Sequence, residues 1–214
     1  SANIISSVSG SVKAIEKREN VLGTTDLSIV VVNDGQYTLA EGVGTEVDPT
    51  TLTTQEILEK VKAAGIVGLG GAGFPTHVKL APKDPAAIKY VIANGAECEP
   101  YITCDDQLMR NYADEIVGGL KIMLQLFPNA EGVVLIEENK PEAIAAVQKV
   151  CANENKIHVH PVHVKYQQGG ERAIMDVVAG KHIKLGMLPA DVGCVVDNVA
   201  TVRAIYRAVA KTEP

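Results

Sequence analysis

Gly68-Leu69-Gly70-Gly71-Ala72-Gly73-Phe74-Pro75-Thr76 is the stretch whose reading decides the fold. With Gly65 it clusters glycines far above the background of the chain. Where side chains are missing, backbone N–H groups approach a planar ring or a phosphate closely. Pro75 can start a short helix whose N-terminus favours an anion. Lys79 lies about one turn further on, within reach of a phosphate or pyrophosphate. The usual dinucleotide fingerprint follows a strand, whereas this loop follows a predicted helix. A tight turn packed against a sheet explains the glycines as well as a ligand does; Phe74-Pro75-Thr76 and Lys79 tilt the reading towards a ligand.

Working outward from the loop, Thr53 stands three residues before Glu56, a capping-box spacing. Ile57, Val61 and Ala64 then recur at helical intervals, and Gly65 ends the helix. Beyond the loop, β-prone and helical patterns alternate. Tyr90 to Ala93 reads as a strand, and Leu108, Tyr112, Ile116, Gly119, Met123 and Leu126 line one face of a long helix. Gly132 to Ile136 is a buried strand and Pro141 to Cys151 a helix opened by proline. Ile157 to Val164 is a strand, Glu171 to Ala179 a helix and Cys194 to Val196 a short strand. Asn198 caps a last helix carrying Val202, Tyr206 and Val209. The alternation predicts an α/β fold: a Rossmann-like, mostly parallel sheet with helices on both faces.

Before Thr53 the pattern differs. Ile4 to Val8, Ser11 to Ile15 and Ser28 to Val32 are β-prone, with turn signals at Gly10 and Asn33-Asp34-Gly35. Residues 1–41 form a small β-rich segment, an incomplete sandwich-type domain, and 42–52 a linker. Residues 53–214 are the α/β domain. The chain opens on Ser1 rather than Met and reads as a piece of a longer one.

Composition agrees with layered α/β packing. The 214 residues are 46% apolar but only 4% aromatic, with no Trp, so the core is aliphatic. A net charge of -6 argues against a nucleic-acid surface. No apolar run approaches a membrane span, and no basic-then-apolar leader is visible. Cys98, Cys104, Cys151 and Cys194 form no Cys-x-x-Cys pair, so no zinc or iron–sulfur pattern is present and a reducing cytosol fits. His158 and His160 share a strand face and His163 lies on the other; a solvated face accounts for them better than a metal site.

Three further segments carry chemistry. Asn94-Gly95-Ala96-Glu97-Cys98-Glu99-Pro100-Tyr101 follows the carboxyl end of a predicted strand, where open α/β sheets bind ligands. Asn94 offers a donor and an acceptor, and Glu97 and Glu99 can accept from ribose hydroxyls. In Tyr166-Gln167-Gln168-Gly169-Gly170-Glu171-Arg172, Gly169 and Gly170 allow close backbone approach beside the Glu171 carboxylate at a helix start. In Asp197-Asn198-Val199-Ala200-Thr201, Asn198 and Thr201 offer donors to a phosphate at a helix N-terminus. A solvated acidic loop and ordinary helix caps are the plainer explanations of these segments.

Together, in this order, the four segments resemble RnfC, a component of the Rnf electron-transport complex, and more distantly the flavin-binding subunit of respiratory complex I. The resemblance runs from about Gly65 to Val209, and Ile4 to Gly35 is similar to the β-rich segment that precedes it in RnfC. It implies that Gly68, Gly70, Gly71, Lys79, Asn94, Asn198 and Thr201 hold FMN, the last two near its phosphate. It places Phe74 against the NADH rings, with Glu97, Glu99, Gly169 and Glu171 around the nicotinamide and ribose. Hydride passes between nicotinamide and flavin in that family, with no protein acid or base required and no metal ligands in this segment, so Glu97 is cast as a positioning residue. The full-length subunit then passes electrons through 4Fe-4S clusters to or from ferredoxin or another carrier, together with other subunits of a membrane ion-translocating complex. Its implied place is cytoplasmic, peripheral on the inner face of the bacterial inner membrane. Two departures from the complex I pattern stand out, Ala96 and Gly170, where acidic residues are found there. The family's cluster-binding cysteine segment is absent from this stretch. A flavin-dependent corrin reductase and a non-catalytic docking fragment are the alternatives.

Overall fold

A computed structural model describes residues 2–184 and 186–214. The chain divides into two compact units, Ile4–Val43 and the α/β unit Gly44–Pro214, which Ala2 and Asn3 join.

The first unit is a hairpin. Strands β1 (Gly10–Glu19) and β2 (Thr25–Asn33) pair antiparallel, with an irregularity between Val12 and Ala14. The connecting turn is Asn20–Thr24, where Asn20 Oδ1 accepts from the N–H groups of Leu22 and Thr24 at 2.9 and 3.2 Å. The expected turn at Gly10 is instead a strand start, its φ of 145° admitting close approach to Val32. Ile4 to Val8 forms no strand, contrary to its β-prone pattern. It finds no ladder partner, and Ile4 and Ile5 remain exposed.

The second unit contains a four-stranded parallel sheet in the order β5-β4-β3-β6, formed by β3 (Tyr90–Gly95), β4 (Glu131–Glu137), β5 (Ile157–Val162) and β6 (Cys194–Asn198). The helices are α1 (Thr54–Ala63), α2 (Thr76–Lys79), α3 (Cys104–Asn111), α4 (Ala113–Leu126), α5 (Pro141–Cys151), α6 (Glu171–Ile174) and α7 (Val199–Ala210). The expected α/β class is borne out. Strand alternation sends Val91, Ala93, Val134 and Ile136 to one face, where they pack with Ile57, Ile116, Leu120, Val202 and Ile205 of the long helices. Ile92, Val133, Leu135 and Val196 point to the other face, covered by Ile174 and Met175. That second cover is thin, because α6 lasts one turn before passing into a π-helical turn, Met175–Ala179.

Several expected elements differ in extent. The long helix is two: Tyr112 leaves helical geometry at φ -136°, ψ 35°, and its ring lies under the Arg203 guanidinium at 3.8 Å. The apolar period runs through the break because α3 and α4 feed the same core. Strand β5 stops at Val162, two residues before the expected end. No helix among the described residues is long and apolar enough to cross a membrane.

Candidate functional site

Chain order in the sheet creates the site. From β3 the chain moves outward to β4 and β5, then returns to the opposite side of β3 as β6. Open parallel sheets bind ligands in a crevice at the carboxyl ends of strands at such a switch point, and here the segments that follow β3 and β6 meet, Asn198 Nδ2 donating to Asp105 Oδ2 of α3 at 2.7 Å. Asn94 and Asn198 are ladder partners at the switch point.

The glycine loop lies against the end of β6 and the start of α7. Its base is a small hairpin: Gly68 N–H donates to Phe74 O at 2.9 Å, and Val67 bridges Pro75. Leu69 N–H donates to the buried Thr201 hydroxyl at 2.9 Å, tying the loop to α7. A Cβ on Gly70 would stand 3.2 Å from Asn198 Cβ, and Gly71 has φ 108°, which L side chains rarely adopt. Among the described residues the N–H groups of Gly70, Gly71 and Ala72 have no protein acceptor. Asn198 also caps α7, its Oδ1 accepting from Ala200 N–H at 2.8 Å.

Lys79 lies beneath this loop. Its Nζ donates to Val196 O at 2.7 Å and stands 3.2 Å from Asp197 Oδ1 and 3.8 Å from Glu171 Oε1. Burial pushes the Asp197 carboxyl up to about 6 against the pull of Lys79. Its second oxygen and the Thr76 hydroxyl are buried without a partner among the described residues.

On the β3 side, Asn94 Nδ2 donates to Gly169 O at 3.0 Å and its Oδ1 accepts from Ala96 N–H. Gly169 N–H points at Cys98 Sγ, 3.4 Å away. Asn94 thus joins the expected second and third segments. Glu97 has φ 49° and is buried, its two oxygens accepting from Asp105 and Asp106 N–H at 2.6 and 3.0 Å. It serves as the anionic cap that α3 lacks from its own N-cap residue, Thr103. Asp105, which sequence reasoning missed, accepts from Asn198 Nδ2 at 2.7 Å; burial raises its carboxyl above the usual range, and Asn198 opposes the rise. Glu97, Cys104 and Asp105 place one ligand-type atom each within 4.8 Å of one another, but the first uses its oxygens on backbone N–H groups. Burial, then the hydrogen bond to Glu97, raises the Cys104 thiol, which keeps it protonated.

Lys140 was also missed. It is buried behind the β3 loop, donating to Ala96 O at 2.7 Å, Glu97 O at 3.2 Å and Asn139 Oδ1 at 3.1 Å. No sequence signal separates it from a surface lysine. Next to it a cleft of about 520 Å³ is lined by Glu99, Tyr101, Arg110, Asn139 and Glu142. Glu99, Glu171 and Phe74 are exposed.

A glycine loop, a capped helix start and a lysine paired with a buried carboxylate at the switch point of a parallel sheet define a nucleotide-type binding domain. Residues 61–207 match the model of the Nuo51 FMN-binding domain, and the chain belongs to that family. It is 40% identical over 205 residues to the C subunit of the Na+-translocating ferredoxin:NAD+ oxidoreductase complex of Acetobacterium woodii, covering 96% of this chain and 46% of that protein. It is 41% identical over 214 residues to the C subunit of the proton-translocating ferredoxin:NAD+ oxidoreductase complex of Clostridium ljungdahlii, covering 100% and 47%. The chain spans about half the length of these two relatives. Among solved structures, NAD+-reducing [NiFe]-hydrogenase in the H2-reduced state superposes with a TM-score of 0.62 at 24% identity, over 76% of this chain and 31% of that one, a likeness of fold.

Proposed function

We propose that Gly44–Pro214 holds FMN in the switch-point crevice and receives NADH against it, as one module of an ion-translocating electron-transport complex. The observation that carries this reading is the convergence of three chain-distant contacts on the end of β6 and the start of α7: Gly70 against Asn198, Leu69 on Thr201, and Lys79 on Val196 and Asp197. The residues fit the cofactor. A Cβ at Gly70 would press on Asn198 and one at Gly71 would be strained, and the N–H groups of Gly70 to Ala72 have no protein acceptor among the described residues. Membership in the FMN-binding family supports the choice among nucleotides.

In this reading the N–H groups of Gly70 to Ala72, with Asn198 and Thr201 at the α7 start, receive the phosphate. Gly68 shapes the loop, while Lys79 and Asn94 face the ring system. Phe74 supplies an exposed aromatic face for the nicotinamide, and Glu99 and Glu171 supply carboxylates for ribose hydroxyls. Gly169 keeps the opposite wall low, beside Asn94 and Cys98. Glu97 acts indirectly, by shaping the loop that carries Glu99. Bound flavin supplies the hydride-accepting chemistry, and the chain supplies alignment and water exclusion. In the full-length subunit, electrons continue through 4Fe-4S clusters to or from ferredoxin, on the cytoplasmic face of a bacterial inner membrane.

The test is reconstitution. Protein incubated with FMN and desalted is expected to retain the yellow flavin absorbance and to bleach on anaerobic addition of NADH. Protein that stays colourless at saturating FMN removes the proposal; retention of colour without bleaching removes its NADH half.

A further inference from the structure

Resting on the FMN reading above, we propose that Asp197 is a positioning residue for Lys79, making it a charge-compensated donor to the uncharged ring edge of the flavin and not a phosphate ligand. Lys79 is the cation that a sequence reading assigns most readily to a phosphate. Its surroundings argue otherwise. Its ammonium is bonded to Val196 O and faces two carboxylates, Asp197 at 3.2 Å and Glu171 at 3.8 Å. A phosphate brought here would meet both carboxylates for one ammonium. The free N–H groups of the glycine loop and the start of α7 offer an anion a site without that repulsion.

Asp197 is suited to aiming the lysine. Its side chain is 1% exposed and sits at the end of β6, one residue before the α7 cap, so it is fixed by the sheet. Its ladder neighbour on β3 is the apolar Ala93; the charged groups facing it are Lys79 from α2 and Glu171 from α6. One oxygen holds the ammonium and the other is buried without a partner among the described residues. A buried, half-satisfied carboxylate is a costly way to place a lysine, and that lysine keeps 27% of its side chain exposed beside it. Because burial lifts the Asp197 carboxyl to about 6, the pair loses its compensating charge in mild acid, and Lys79 is released towards the exposed Glu171.

Riboflavin, which has the ring but no phosphate, separates the two roles. Binding of FMN and of riboflavin is measured by quenching of flavin fluorescence from pH 5 to pH 8 for wild type, Lys79→Met and Asp197→Asn. Loss of one well-placed donor is expected to weaken both flavins by the same factor, on the order of tenfold. Wild-type affinity for riboflavin is expected to fall as pH drops through about 6, and Asp197→Asn to stay at the weakened level throughout. A loss confined to FMN returns Lys79 to the phosphate and overturns the proposal, as does wild-type affinity in Asp197→Asn. Wild type that binds neither flavin overturns the proposed function and this assignment with it. A flavin-free measurement guards against misfolded variants: the Asp197 carboxyl, followed by carbon NMR, should titrate higher in Lys79→Met than in wild type, and an unmoved midpoint counts against the pair.

Discussion

Two lysines flank the carboxyl ends of the central strands, and they do different work. Lys140, on the β4 side of β3, is 8% exposed and spends its hydrogens on Ala96 O, Glu97 O and Asn139 Oδ1, with Glu137 at 3.6 Å. Lys79, on the β6 side, is 27% exposed and has one backbone acceptor, with carboxylates as its other neighbours. Lys140 is a brace: it holds the loop in which Glu97 adopts φ 49°. Lys79, held by fewer backbone acceptors, keeps part of its surface in solvent. The same side chain becomes framework or functional group according to how many of its donors the fold has already used.

The largest expected effect tests the brace. Lys140→Met leaves two loop carbonyls and the buried Glu137 without their partner, and should cost about 3 kcal/mol in urea unfolding. A cost below about 1 kcal/mol would erase the distinction between the two lysines.

Asp197 comes next. Its folded carboxyl titrates at about 6, above the unfolded value of about 3.9. The stability tied to its protonated form is complete below about pH 4 and is lost as pH rises through about 6. Asp197→Asn should therefore be more stable than wild type at pH 8, by roughly 1–2 kcal/mol, with the gap closing in acid. Equal unfolding midpoints at pH 8 would mean that Lys79 fully offsets the burial.

Gly70→Ala is the mildest change. Its Cβ falls 3.2 Å from Asn198 Cβ, so a few tenths of an ångström of adjustment suffices. Stability should change by less than about 1 kcal/mol, while FMN affinity drops because the crevice wall moves. An unchanged affinity would put the flavin elsewhere.

Much of this was legible in the sequence because it is local. The capping box at Thr53 and Glu56 forms as spaced, with Thr53 N–H donating to Glu56 Oε2 at 2.8 Å and Glu56 N–H to the Thr53 hydroxyl. The buried run of β4 and the Asn198 cap also follow from neighbouring residues. What escaped depends on chain-distant partners. Asp105 looks like one of two helix-start acids until Asn198 arrives from 93 residues away. Lys140 gains its role from carbonyls of the β3 loop, and the break at Tyr112 coincides with Arg203 stacking from α7. Asp197 opens the Asp-Asn-Val-Ala-Thr motif, yet only the placement of α2 beside β6 sets its charge against Lys79.

The bond from Leu69 N–H to Thr201 also bears on how the protein is made. Its partners are 132 residues apart, and β6, the strand beside β3, comes last in chain order among the described strands of the sheet. A chain emerging from the ribosome presents the glycine loop long before the helix that pins it. Until Thr201 arrives, the loop has its own small hairpin but no roof support, and β3 shows an unpaired edge to the cell. Pinning of the glycine loop thus waits until β6 and α7 have emerged, and a ribosome stalled before α7 would hold the loop without its Thr201 anchor.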